Sequence, residues 1–433
     1  MNLNRTHVFT AAAVVALALL ITGPINAMMR TRHNTSQFDH LDKERLNSLL
    51  EILRTQPLSL PVPPEIEQSK DQKVRDEYFA ARRRIFEEHD AKISAAVEEL
   101  AAMGDDIVDW LLREYRAPIK APQHKIIVVL ARIGTPKARD SLLNIATAPY
   151  SNSSQDAYAA WAARNYVKIT NDKQDLLPLL KSNNPDVISV GLQQMPGVPV
   201  DDALLDLLRG YLQSTRYHPV INFAIRTKAA SVLTGDGRST LIEERVAAIV
   251  DSIHTVDDLP MANDRFQSDT TGTFADCTYS SLIEALARIQ NATPFLLDAR
   301  EKADGRPRAA IVVALARCGD PSVKGELCSI LRDPNMVAMT NVRHQATRAL
   351  GDIGTREDLP FLEQLFREDP LEIISFHGPI FEMVNGQYVN NTGSRMAPIR
   401  EESDPAWKTA RRWFPIRAAA SQAIQAIKRR LPE

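Results

Sequence analysis

Residues that commonly do chemistry in proteins are present in this sequence, but not in a recognisable catalytic arrangement. The chain has no GxSxG, HExxH, P-loop, CxxC or CxxCH motif, the spacings that position a nucleophile, a zinc ion, a phosphate or a haem. His89 stands in a Glu-Glu-His-Asp run, but consecutive residues of a helix point in different directions. That run is typical of a solvated helix face. We therefore predict no catalytic residue, no metal site and no cofactor.

Four basic residues share one recurrent position, two residues before the end of an apolar helical segment. They are Arg132, Lys168, Arg288 and Arg317, and Asp352 takes the same place in the segment after Arg317. Stacked helices would align these side chains into a basic stripe that could bind an acidic partner. The structural alternative is that a cation in the last turn of a helix is stabilised by the helix dipole, by about 0.3–1 kcal/mol.

A second candidate surface lies in an insertion near the C-terminus. Residues 379–390 (PIFEMVNGQYVN) alternate around an Asn-Gly pair, the combination typical of a β-hairpin with a type I′ turn. A two-residue turn places Phe381, Met383 and Tyr388 on one face of the hairpin. We predict that this face contributes to partner binding and not to the stability of the rest of the chain.

The segments that carry the basic residues follow one template. In residues 308–331 (RAAIVVALARCGDPSVKGELCSIL) two apolar helices are separated by a Gly-Asp-Pro turn, and small or apolar residues stand at fixed offsets before Gly319. The same offsets recur before further segment ends, at Gly134, Thr170, Gly197, Gly237, Gln290, Gly354 and Lys428. Helix pairs repeated every roughly 30 to 40 residues indicate an all-α solenoid, in which each unit buries its apolar face against its neighbours.

An arginine stands eleven residues before the end of four of these segments. These residues are Arg226, Arg308, Arg343 and Arg417. We interpret the row as structural, with each guanidinium hydrogen-bonded between repeats to a turn aspartate such as Asp320.

The template resembles the HEAT repeat family, in particular the short HEAT-like units that also occur in phycobilin lyases. The second helices and the turns at residues 133–136 (IGTP) and 318–321 (CGDP) carry the resemblance. It covers about residues 95 to 430 and is strongest from Tyr279 to Phe366. It implies an α-solenoid and a general role as a protein-interaction scaffold, and it implies no reaction. None of the nine histidines precedes a glutamate, so the iron-binding His-Glu pairs of the HEAT-like deoxyhypusine hydroxylases are absent.

The composition further restricts the classes of partner that the sequence predicts. Lys and Arg number 52 and Asp and Glu 54, which gives a net charge of −2 and no general attraction to nucleic acid or an anionic membrane. Three cysteines are too few for a disulfide scaffold. Cys318 and Cys328 are predicted to be small buried core residues.

The sequence of the N-terminal segment predicts that the protein is exported. Residues 1–27 contain a basic start, an apolar run from about residue 8 to 21, and a small residue at the end. This is the order of a secretory signal peptide, and the run is shorter than the ~20 residues of a membrane span. The prediction is a periplasmic or secreted protein, associated with a membrane only in the alternative in which the segment stays uncleaved.

The remaining sequence divides into three regions. Residues 28–64 are polar and proline-rich with one short helix, residues 65–103 form a long charged helix, and residues 104–433 hold the repeats, with insertions at 251–276 and 369–404. The long helix is predicted to pack on the first repeats, with pairing in a coiled coil as the alternative.

Two functions follow from this organisation. The leading prediction is an exported, non-enzymatic scaffold that binds a protein or peptide on its solenoid surface, with an acidic partner as the option that the basic row raises. The alternative is an enzyme or cofactor-handling protein whose pocket is formed by the inserted loop and hairpin.

Overall fold

A computed structural model gives the fold and describes residues 42–55, 62–63, 66, 71–117, 122–150, 154–235, 241–259, 273–371, 373–376, 381–384, 387–390 and 410–431. The predicted signal peptide, residues 1–27, lies outside these ranges. Within them, no helix combines the length and the apolar character needed to cross a bilayer.

Helices make up most of the described chain. Their bounds are α1 Lys43–Arg54, α2 Gln72–Ala102, α3 Val108–Tyr115, α4 Gln123–Ile133, α5 Pro136–Ala146, α6 Ser154–Ile169, α7 Leu177–Leu180, α8 Pro185–Gln194, α9 Asp202–Leu212, α10 Pro219–Leu233, α11 Ile242–His254, α12 Phe274–Arg288, α13 Thr293–Lys302, α14 Gly305–Arg317, α15 Lys324–Arg332, α16 Thr340–Ile353, α17 Leu359–Glu368 and α18 Pro415–Arg430. The even-numbered helices from α4 onward are those that follow the sequence template.

The chain divides into two compact units, Met1–Asn171 and Asp172–Glu433. In the first unit, α1 packs on α2, α2 on α4, and α4 on α6. The packing face of α1 consists of Leu46, Leu49, Leu50 and Leu53, all of them buried, at the spacing of one helix face.

Helix α2 begins at Gln72, and residue 65, the predicted start of the long helix, lies outside the described residues. Asp71 is the N-cap, and its carboxylate accepts a hydrogen bond from the N–H of Lys73 (2.9 Å). Such a cap satisfies a backbone donor that the first helical turn leaves unpaired. The buried residues of α2 are Ala96, Val97 and Leu100, so its N-terminal part extends away from the core of the unit.

The second unit has the two-layer organisation of an α-solenoid. Along one layer α8, α10, α12, α14, α16 and α18 each pack on the next, while α9, α11, α13, α15 and α17 pack on their partners in that layer. Since each helix pair presents apolar residues to the pairs before and after it, the core runs continuously along the unit. We refer to the even-numbered helices of this unit, α8 to α18, as the inner layer.

Helix α14 is enclosed on all sides. Every residue from Ala309 to Ala316 is buried, and Leu315 has no exposed surface. The neighbours of α14 in the inner layer, α12 and α16, also contact each other. A helix surrounded by protein must be apolar all round, which explains why this segment (AAIVVALA) has no polar face.

Glycines allow two special features of the second unit. Gly319 follows α14 with φ of +88°, a left-handed conformation that favours glycine. Gly351 lies where α16 and α18 approach most closely, because a Cβ atom there would stand 2.8 Å from the Cα of Ala423.

The arginine row is structural, but Asp320 is not a partner of it, and of the four arginines Arg343 is the one that binds a turn aspartate. The carboxylate of Asp320 caps the turn after α14 by accepting the N–H of Ser322, and the arginines bind other groups. Arg308 donates to the carbonyl of Arg300 (2.9 Å), Arg417 to the carbonyl of Asp369 (2.8 Å), and Arg226 to the carbonyl of Ser214 (3.3 Å). These carbonyls lie near helix ends, where backbone acceptors have no partner within the helix.

The fourth arginine forms a buried ion pair. Arg343 on α16 contacts the carboxylate of Asp369, just after α17, at 2.5 Å, and both side chains are almost completely buried. The other carboxylate oxygen of Asp369 accepts the N–H of Leu371 (3.1 Å). Since Arg417 binds the carbonyl of Asp369, this residue connects α16, the end of α17 and α18.

The predicted insertion at 251–276 is shorter than expected. Helix α11 extends to His254, and α12 begins at Phe274 because Thr273 caps it by accepting the N–H of Asp276 (3.2 Å). Asp276 is therefore a helical residue, and it has no exposed surface.

The insertion that begins at residue 369 contains four short strands, β1 Ile373–Phe376, β2 Phe381–Val384, β3 Gln387–Asn390 and β4 Ala410–Trp413. Strands β1 and β4 are antiparallel, with Ile373 opposite Trp413. This pair extends beyond the predicted end at 404, and the sequence did not indicate it. Strands β2 and β3 are antiparallel, with Phe381 opposite Asn390 and Met383 opposite Tyr388.

The three cysteines carry free thiols. Cys318 and Cys328 are half-buried and not fully buried as predicted, whereas Cys277 is buried. Partial burial raises the pKa of the Cys318 and Cys328 thiols.

Candidate functional site

The four predicted cations lie at or near the C-terminal ends of helices that follow the sequence template. Arg132 is the penultimate residue of α4 and Lys168 lies near the end of α6, both in the first unit, and both are exposed. Arg288 ends α12 and Arg317 ends α14 in the second unit. Because α12 and α14 are neighbours, the template places Arg288 and Arg317 at equivalent positions on adjacent helices.

Carboxylates accompany three of these cations. Arg132 pairs with Glu98 of α2 (2.7 Å), and Arg288 pairs with Glu284 one turn earlier on its own helix. Each of these pairs is more than half exposed. Exposed pairs of this kind contribute about 0–1 kcal/mol, so a partner carboxylate can replace the resident one at little cost.

Arg317 is the least exposed of the four, with 28% of its side chain accessible. Its Nη1 atom lies 3.9 Å from a carboxylate oxygen of Asp352 on α16. Asp352, the residue that interrupts the basic row in the sequence, is thus the residue that Arg317 approaches across the helix boundary.

Helix α16 contributes two more basic residues. Arg348 lies one turn before Asp352 and is exposed, and His344 lies two turns before Asp352 and is half-buried. Burial lowers the pKa of His344, and the positive charges of Arg348 and Arg317 lower it further. Arg348 lies one turn from His344 on the same helix, and Arg317 lies on the adjacent helix α14. We refer to Arg317, His344 and Arg348 as the basic cluster.

Sequence reasoning missed Arg348 and His344 because it followed only one position of the template. Residues four and three positions apart share a helix face, and this spacing links Asp352, Arg348 and His344. An inspection of the preceding two turns of each template helix would have found them.

A polar contact joins the N-terminal ends of α12 and α16, the inner-layer helices on either side of α14. The carboxylate of Asp276 on α12 accepts the backbone N–H groups of Asn341 (2.8 Å) and Val342 (3.1 Å), which belong to the first turn of α16. A carboxylate at that place pairs with free backbone donors and with the helix dipole.

A side-chain amide continues this contact one turn further. The Nε2 group of Gln345 donates to the carbonyl (2.9 Å) and the hydroxyl (2.6 Å) of Ser280. Ala310 and Val313 of α14 are buried. The exposed groups at the C-terminal end of α16 include the charged side chains of Arg348 and Asp352.

A cavity of about 370 Å³ lies elsewhere in the second unit, between α14, α15 and the turn that follows α15. Ala309, Val312 and Met336 line it together with the Arg308–Glu326 ion pair, whose Nε–Oε2 distance is 3.1 Å. In the described part of the chain, no group of three or more His, Cys, Asp or Glu side chains is arranged to hold a metal ion.

The side chains of Phe381, Met383 and Tyr388 lie outside the description, which gives only the backbone of β2 and β3. Their role in partner binding stays a prediction. The same holds for the alternative of a pocket built by the inserted loop and hairpin.

Comparison with known proteins gives one match. A family model described as HEAT repeats matches residues 293–375, which span α13 to α17 and reach into β1. This confirms the predicted resemblance, and the matched segment overlaps most of the region in which the template is most regular. No curated protein and no solved structure matches the chain.

Proposed function

We propose that this chain, in which residues 293–375 match the HEAT-repeat family model, is a non-enzymatic scaffold for an acidic protein or peptide. HEAT repeats commonly mediate protein–protein interactions. Within that general role, we assign binding to the inner layer of the second unit, at the C-terminal ends of α14 and α16.

The observation that carries this proposal is the basic cluster. Arg317 of α14 and Arg348 and His344 of α16 lie on adjacent helices, and the exposed carboxylate of Asp352, one turn after Arg348, is the acidic group that Arg317 approaches. Arg288 adds a fourth basic group at the equivalent position of α12. Arginine binds carboxylates through two parallel hydrogen bonds, which suits acidic side chains of a peptide or a protein surface.

A peptide selection tests the proposed specificity. Random peptides are selected on the purified chain, and the selection is repeated on a variant with Arg317→Glu and Arg348→Glu. We expect peptides rich in Asp and Glu from the unchanged chain and loss of that bias with the variant. Peptides with no acidic bias would contradict the proposal.

Export is part of the proposed function. The support is the order of basic, apolar and small residues in residues 1–27, and we propose that the scaffold works in the periplasm or outside the cell. Amino-terminal sequencing of the protein from its native source should give a start after residue 27. A start at Met1 would contradict cleavage.

A further inference from the structure

Asp352 stands where the repeat template places a cation in other helices. The residues at the equivalent position are Arg132, Lys168, Arg288 and Arg317. Asp352 is the penultimate residue of α16, and a negative charge in the last turn of a helix lies beside the negative end of the helix dipole. The helix itself thus gains no stability from this carboxylate.

The residues around Asp352 are basic. Arg317 on α14 brings its Nη1 atom to 3.9 Å from the Asp352 carboxylate. Arg348 lies one turn earlier on the same face of α16, and Arg430 of α18 donates to the backbone carbonyls of Gly351 and Asp352. One carboxylate therefore stands among three arginines that come from three helices.

The contact between Asp352 and Arg317 is loose. A separation of 3.9 Å exceeds the donor–acceptor distance of a hydrogen bond, and 62% of the Asp352 side chain is exposed. Asp352 offsets part of the positive charge of Arg317 without a hydrogen bond between these two atoms. A ligand carboxylate that accepted a hydrogen bond from Arg317 would make a closer contact than the resident one.

We propose that Asp352 is a specificity-determining residue of the basic cluster, a resident anion that competes with the carboxylates of the partner. This inference rests on the proposed function. The charge of Asp352 lowers the affinity for any carboxylate that reaches Arg317 or Arg348, because like charges repel. A weakly acidic surface is then not retained, whereas a densely acidic segment, which contacts several arginines at once, is.

The expected size of the effect follows from the separation of the charges. Residues four apart on a helix are about 5–6 Å apart, so a carboxylate bound at Arg348 lies roughly 6 Å from that of Asp352. In water, two unit charges at about 6 Å repel enough to change an equilibrium constant roughly threefold. Asp352→Asn keeps the size of the side chain and removes its charge, so it should raise the affinity for an acidic ligand roughly threefold or more.

Calorimetric titration of the full chain with an end-capped peptide of alternating Glu and Ser residues tests the proposal. We expect tighter binding by Asp352→Asn and no change with the control Asp206→Asn, an exposed aspartate of α9 that pairs with Arg209 at 3.4 Å. The gain should shrink in about 1 M salt, where the screening length is only about 3 Å. The same peptide with Gln in place of each Glu should not distinguish Asp352→Asn from the unchanged chain.

The variants separate this inference from the proposed function. Unchanged or weaker binding by Asp352→Asn, while Arg348→Glu still weakens binding, would overturn the role of Asp352 and leave the acidic-partner site in place. An equal gain from Asp206→Asn would also overturn it, because the effect would then come from the net charge of the chain. Equal binding by Arg348→Glu and the unchanged chain would contradict the proposed function itself.

Discussion

Loss of the Asp369 carboxylate should destabilise the second unit more than most single substitutions. Its oxygen stands 2.5 Å from Nη2 of Arg343, and the two side chains are 2% and 4% exposed. Asp369→Ala leaves the Arg343 guanidinium buried without its counter-charge. Breaking a buried pair in this way costs about 3–5 kcal/mol.

Thermal melts of a double-mutant cycle measure this effect. At roughly 2–4 °C per kcal/mol for a unit of this size, Asp369→Ala should lower the Tm by about 6 to 20 °C. Combining Asp369→Leu with Arg343→Met should restore part of the stability, since apolar replacement of both partners is often close to neutral. The N–H of Leu371 still loses its acceptor in the double variant, so full recovery is not expected.

One outcome of the cycle would refute this reasoning. If Asp369→Leu and Arg343→Met destabilise independently, with losses that simply add in the double variant, the two residues are not coupled. The loss from replacing Asp369 would then come from the N–H of Leu371, which the other carboxylate oxygen of Asp369 accepts at 3.1 Å.

Three further predictions concern the inner layer. Leu315→Ala should cost about 2–5 kcal/mol, because Leu315 has no exposed surface, and an unchanged melt would mean that the template register is wrong. Gly351→Ala should cost about 1–3 kcal/mol by overpacking against Ala423, whereas the control Gly325→Ala, where a Cβ meets nothing within 4 Å, should be neutral or stabilising. The lowered pKa of His344 means that the unfolded chain binds the extra proton more readily, so stability should fall as the pH drops below about 6.5. His344→Gln should reduce that fall, and identical pH profiles of the two proteins would contradict the assignment.

Local periodicity was enough to predict the solenoid. The template helices depend on residues within a few turns of one another, as in Ala309–Ala316, whose offsets before Gly319 place them in the core. Turn chemistry is equally local, which is why the Gly319-Asp320-Pro321 corner could be read from the sequence.

Contacts between distant residues could not be predicted in the same way. Asp276 caps α16 through Asn341 and Val342, and Arg343 pairs with Asp369 beyond the next helix. The sequence shows that these residues are polar but not which helix ends meet them in space. Strands β1 and β4 were missed for the same reason, since they pair across the whole insertion.

Two of the four basic residues of the proposed site were predicted from the sequence. Arg288 and Arg317 were found by their shared template position, whereas Arg348 and His344 lie at other positions and become neighbours of Arg317 only because α14 and α16 pack together. The pairing of Arg317 with Asp352 likewise depends on that packing.

The most direct test of the scaffold proposal is a calorimetric titration of the chain with one selected acidic peptide. Arg348→Glu, which alters an exposed side chain of the basic cluster, should weaken binding at least tenfold while the melt stays unchanged. The matched control is Lys302→Glu on α13, whose side chain is 71% exposed and pairs with Asp298. The proposal predicts loss of affinity with Arg348→Glu and no change with Lys302→Glu, and equal affinities for all three proteins would contradict it.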